Sequence, residues 1–268
     1  MAFLIGKSED PRRAFSRIAE EQLDAALQHL EPPIRDEKTA IHEVRRHCKK
    51  VRGLLRLFDP ALDAREFRVI DIEIRDAARI LGFRRDDDVR AEIFDNFGIP
   101  HPPAAIHSDK GDEAIAPAAR HLTRARVLMA SMSPSGNVHK RVARGFRNTY
   151  RRCLKAKKAA RRRHCDELDH KLRKWVKYHW QHLHLLSEFA PRNVAKRRKL
   201  VQQAGHLLGL AHDIYVIEAE PETQVFSQQL AEKKAEFLAD ARKVTNNVFD
   251  TEGKRFTKKV ARQIRSGT

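Results

Sequence analysis

The chain has 268 residues, with 54 Lys and Arg against 36 Asp and Glu and a net charge of +18 when histidines are neutral. Apolar residues make up 41% and charged residues 34%, too apolar for a disordered polyelectrolyte and charged enough to surround a core with a dense ionic surface. The excess of base points to a polyanionic partner, and three cysteines without a C-x-x-C pair exclude a disulfide framework.

Helical periodicity runs along almost the whole chain, punctuated by Pro and Gly. The opening MAFLIGKSEDPRR is too short in apolar residues for a signal peptide. No run approaches the roughly 18 apolar residues of a membrane span. A cytoplasmic protein without a membrane partner is expected. The first helix should end before Glu31-Pro32-Pro33 and the second at Asp59-Pro60. On a helical wheel of the second, Arg45, Arg46, Lys49, Arg52 and Arg56 fall within about 80° of His42. Val44, Cys48, Val51, Leu55 and Phe58 take the opposite side. The third helix should end at Gly82, with Arg68, Arg75 and Arg79 opposite Ile70, Ile74, Ala77 and Leu81. The longest irregular stretch is expected from Gly98 to Gly111.

A break at Ser133-Pro134-Ser135-Gly136 precedes a segment from Lys140 to Arg163 that contains no Asp or Glu. Lys140, Arg144, Arg147, Arg151, Lys155, Lys158 and Arg162 recur every three or four residues and form one basic stripe. Like charges at that spacing repel, so a stripe without acids is better explained by a bound polyanion than by solvation alone. In the next helix His170, Arg173, Lys174, Lys177 and His184 share a face opposite Leu172, Val176, Leu183 and Leu186. After Ala190-Pro191, Lys199, Gln202 and His206 lie opposite Val201, Ala204 and Leu208. No stretch alternates as a strand. The expected fold is all-α, with helices of about ten to thirty residues packed as antiparallel bundles.

Two motifs repeat. The run from His42 to Lys49 recurs from His170 to Lys177, 128 residues later, and Leu81-Gly82 with its sequel recurs at Leu208-Gly209, 127 residues later. Two different motifs in one order at nearly one offset read as a duplication, with repeats at 1–133 and 134–268. Gly82 and Gly209 are expected to end helices, and Asp86 and Asp213 to cap the next ones. A magnesium site at Asp86-Asp87-Asp88 is disfavoured, because Ile214 and Tyr215 replace the last two in the second copy. His179 falls on the apolar side and is expected to be a satisfied core histidine. No nucleophile–base signature, metal-ligand spacing or phosphate-binding Gly loop appears, so no catalytic residue, metal or cofactor is expected.

At these residues the chain resembles the CHAD family, the conserved histidine α-helical domain. The likeness rests on H-x-x-R-[RK]-x-x-K at His42 and His170, L-G-x-x-[RH]-D-x-x-V at Gly82 and Gly209, and G-x-x-x-x-Y-R-R from Gly145 to Arg152. It covers roughly residues 10 to 265. The resemblance implies two tandem helical bundles related by pseudo-twofold symmetry around a basic central cleft or pore that binds inorganic polyphosphate. By position it carries His42, Arg45, Arg46, Lys49, His170, Arg173, Lys174 and Lys177 into that role, with Arg85-Asp86 and His212-Asp213 as the family's paired positions. Polyphosphate is thus the expected partner, with location on polyphosphate or storage granules. The rival is a nucleic-acid-binding protein. Three Tyr and two Trp provide few stacking groups for it, and Trp175 is expected on the apolar side.

Overall fold

A computed structural model describes residues 3–82, 93–98, 111–189, 191–218 and 221–266. These form helices with no strand among the described residues: α1 (Pro11–Gln28), α2 (Glu37–Phe58), α3 (Ala64–Ile80), α4 (Gly111–Ser131), α5 (Val138–Arg163), α6 (Asp166–Leu185), α7 (Pro191–Ile217), α8 (Ser227–Val248) and α9 (Thr251–Ser266). Residues 93–97 are helical as well. Residues 99–110, most of the stretch expected to be irregular, lie outside the described residues, as do Arg85 and Asp86 to Asp88.

Local chemistry sets the helix starts. Asp10, Asp36 and Asp63 accept backbone N–H bonds from Arg12 (2.7 Å), Thr39 (3.1 Å) and Arg65 (2.8 Å), satisfying donors that α1, α2 and α3 leave unpaired. Asn137 does the same for α5 through Lys140 N–H at 3.0 Å. The breaks at Pro32-Pro33, Asp59-Pro60, Ser133–Gly136 and Pro191 fall where expected.

The capping role of the second L-G motif is overturned. Gly209 and Asp213 both lie inside α7, which runs unbroken to Ile217. Neither Gly82 nor Gly209 has the positive φ that a left-handed cap needs; among the described residues only Gly98 and Gly136 do. Gly82 instead makes room for an arginine, while Gly209 lies beside one at ordinary contact distance. A Cβ on Gly82 would stand 2.7 Å from Arg45 Nη1, and one on Gly209 would stand 3.8 Å from Arg173 Nε.

The apolar faces read from the sequence are buried, and one continuous core joins residues on both sides of Pro134, from Phe15 and Val44 to Val176, Val201 and Ile264. Two close approaches lock α2 against its neighbours. A Cβ on Gly145 would lie 1.9 Å from the Leu57 carbonyl oxygen, so only glycine lets α5 come this near. Gly53 receives Gln181 in the same way: the space of a Cβ there is filled by Gln181 Oε1 at 2.0 Å. Gln181 Nε2 donates to the Lys49 carbonyl (2.9 Å) and His182 Nε2 bonds the Gly53 carbonyl (3.0 Å), which ties α6 across α2. A smaller apolar cluster places Ile93 and Phe94 against Ile214, Ile217 and Leu230, carrying the first repeat over to α7 and α8.

His179 is fully buried as expected, stacked on Phe146 at 5.4 Å and edged by Tyr150. It is not satisfied, however: neither ring nitrogen has a hydrogen-bond partner among the described residues. The aromatic packing that buries the ring supplies no acceptor. Trp175 is half-buried and packs against the core as expected, with the Arg152 guanidinium over its ring at 4.6 Å.

Candidate polyanion cleft

The crossing of α2 and α6 opens a cleft of about 550 Å³. From α2 come Arg45, Lys49 and Arg52, from α3 Arg75, and from α6 His170, Arg173, Lys174 and Lys177. His212, Asp213 and Val216 of α7 line it too, with Ile93, Tyr178 and Gln181. Among the described residues, seven Lys and Arg side chains thus line it with one acid, Asp213. Both copies of the basic motif contribute to the one cavity.

Fixed contacts set the positions of several cations. The Arg45 guanidinium donates to the Ala78 carbonyl in the last turn of α3, where helix carbonyls lack partners and favour a cation. Asp71 clamps two arginines, Arg52 at 2.8 Å and Arg56 at 2.8 Å. Burial is the largest single influence and disfavours the charge on Arg52, but the Asp71 hydrogen bond together with the charges of Tyr178 and Asp71 outweighs it and the pKa is raised. Arg56 also covers the Phe67 ring at 4.6 Å.

The positive field appears in the titration of its members. Lys174 is depressed by burial and then by Arg52 and Arg56. His170 and His212 stand ring to ring at 4.6 Å. Burial lowers both, helped by Arg173, and His212 falls to about 4. The neutral form of both imidazoles is favoured more than in a free histidine, and a negative ligand that offsets their neighbours would favour the charged form.

Eight of the expected binding residues therefore meet in the cleft: Arg45, Lys49, Arg52, Arg75, His170, Arg173, Lys174 and Lys177. His42 and Arg46 do not line it; Arg46 pairs instead with Glu43 at 2.6 Å. Arg56 turns to Asp71, and Arg79 lies near Asp76 at 3.7 Å. Lys199 and His206 are exposed on α7 away from the cleft lining. His184, placed by the wheel with His170, bonds Arg198 at 2.8 Å instead.

The α5 stripe is not part of this cleft either. Lys140, Arg144, Arg147 and Arg151 line a groove of about 200 Å³ with Arg265 of α9, and Lys155 is exposed beyond it. The wheel missed His212 and Asp213 as cleft residues because the L-G motif was read as a helix end. Their three- and four-residue spacing from Gly209 within one continuous helix was the available signal.

The CHAD domain profile matches residues 17–220, about three quarters of the chain, and spans both copies of the basic motif. Among curated proteins no match was found.

Proposed function

The chain belongs to the CHAD family, and from that premise we propose that it binds inorganic polyphosphate in the α2–α6 cleft. The observation that carries this reading is the meeting of both basic motifs in one cavity, with seven Lys and Arg and one acid, Asp213, among the described lining residues. A linear polyphosphate carries negative charge on each internal phosphate, so a row of cations neutralises it in series. Arginines such as Arg45 and Arg173 provide forked donors, and Lys49 and Lys177 add mobile point charges. A cleft between helices admits a thin flexible chain more readily than a base-paired duplex.

The same reading makes this a binding module rather than an enzyme. Phosphoryl transfer by metal ions uses clustered carboxylates, and among the described residues Asp213 is the one carboxylate that lines the cleft. Cytoplasmic association with polyphosphate granules is part of the proposal. Among the described residues no helix is long and apolar enough to cross a membrane.

Competition at physiological salt tests it. Polyphosphate should displace a labelled polyphosphate at lower phosphate concentration than duplex DNA or single-stranded RNA. Equal competition per phosphate would make the cleft a generic basic surface and favour the nucleic-acid reading.

A further inference from the structure

On another part of the α1–α2 pair, His29, Glu43 and His47 bring one ligand atom each to within 4.8 Å of one another. None of the three lines the basic cleft. We propose that these residues form a binding site for a first-row divalent transition metal of the Zn²⁺ class, joining the end of α1 to the middle of α2.

The donor set is two imidazoles and a carboxylate, which suits such a cation with solvent completing its coordination. Glu43 and His47 are four residues apart on α2, so helix geometry aligns them on one face. His29 stands at the C-terminal cap of α1, whose last turn holds no basic side chain; a cation there lies at the negative end of the helix dipole. His47 is the anchor. The residue is 7% exposed and its Nδ1 meets Gln22 Oε1 at 2.9 Å. An acceptor oxygen at Nδ1 fixes the proton there and leaves the Nε2 lone pair for a metal, the outer-shell arrangement that orients ligand histidines. Arg46 takes Glu43 Oε2 at 2.6 Å, which assigns Oε1 as the ligand oxygen. Bond lengths of about 2.0–2.2 Å set how closely the three atoms must gather around a cation, and here they lie within 4.8 Å of one another. His29 and Glu43 are half-buried and can rotate inward, whereas His47 is held.

The test uses tag-free full-length protein stripped with a chelator, in buffer without phosphate, titrated calorimetrically with Zn²⁺. One equivalent should bind, and thermal unfolding should shift upward with Zn²⁺, since a ligand of the native state alone stabilises it. His29→Asn and Glu43→Gln should each weaken binding about tenfold or more and abolish the thermal shift. Their half-buried positions allow the fold to persist, which circular dichroism checks. His170→Asn, in the other histidine pair, should leave the Zn²⁺ isotherm unchanged. The proposal is overturned if folded His29→Asn binds as wild type, or if the binding is lost with His170→Asn instead. Polyphosphate binding does not enter these readouts, so either result leaves the proposed function standing.

Discussion

Gly82 leaves the space that the Arg45 guanidinium occupies, with Nη1 only 2.7 Å from where a Cβ would be. Arg45 in turn reaches the Ala78 carbonyl and lines the cleft. The equivalent pair in the second repeat, Gly209 and Arg173, is looser at 3.8 Å, an ordinary contact. The first L-G motif thus acts on the first basic motif by making room for its arginine, whereas at Gly209 a side chain would fit beside Arg173.

The two glycines should therefore respond differently to alanine. Gly82→Ala displaces Arg45 and should weaken polyphosphate binding several-fold. Gly209→Ala meets no clash inside α7 and should stabilise the protein by about 0.5–1 kcal/mol through lower backbone entropy cost and better helix propensity, with binding retained. Denaturation curves and binding isotherms of the two variants separate these outcomes. Equal binding losses would show that the spacing at Arg45 is not what matters.

Asp71 sets how much charge the cleft presents. Asp71→Asn removes the counter-ion of Arg52 and Arg56. Affinity for polyphosphate should rise a few-fold while stability falls by about 1–3 kcal/mol, because two partly buried guanidiniums lose a charged acceptor. Weaker binding in the folded variant would mean that Asp71 positions Arg52 more than it neutralises it.

The apolar side of the fold was legible because burial follows the 3.6-residue period: Val44, Cys48, Val51, Leu55 and Phe58 are all buried as the wheel requires. Half of the basic side was legible for the same reason. The wheel cannot say where along an arc of cations the cleft ends, so Arg45 enters it while its neighbour Arg46 pairs with Glu43. Nor does it see partners from other helices. Asp71 claims Arg56 from α3, and His29 reaches His47 from α1. Gly209 misled because a glycine inside a helix and one ending it look alike in one sequence; the approach of Arg173 is a tertiary fact.

Binding should also depend on pH. In the free protein burial and Arg173 hold His170 below its ordinary value and His212 at about 4. A polyanion offsets those cations and raises both pKa values, so binding takes up protons. Affinity should therefore increase as pH falls from about 7.5 toward 5, across the ordinary histidine pKa near 6.5. His170→Gln with His212→Gln should flatten that rise. A wild-type affinity independent of pH over this range would remove the histidines from the binding step.

Stability should change with pH in the opposite sense. Burial lowers His179 to about 3 and His182 to about 4. The unfolded chain binds these protons near 6.5 and the folded one does not, so stability is full above pH 6.5 and lost as pH falls toward 4. Each histidine adds a slope approaching about 1.4 kcal/mol per pH unit in that window. His179→Phe keeps the packing on Phe146 and should reduce the melting-temperature drop between pH 7 and 5. An unchanged drop would place the acid sensitivity elsewhere.

The central claim is that one polyphosphate chain is held by both repeats together, at Lys49 of α2 and Lys177 of α6, which stand 128 residues apart in sequence and line one cavity. Calorimetric titration of Lys49→Gln, Lys177→Gln and the double variant with a polyphosphate of defined length tests it most directly. Both single variants should bind with wild-type stoichiometry and weaker affinity, and the double variant should be weaker again, with a shallower dependence on salt as fewer counterions are released. A single variant that loses part of the wild-type stoichiometry while its remaining sites keep wild-type affinity would mean two separate surfaces, one on each repeat, and would contradict the account.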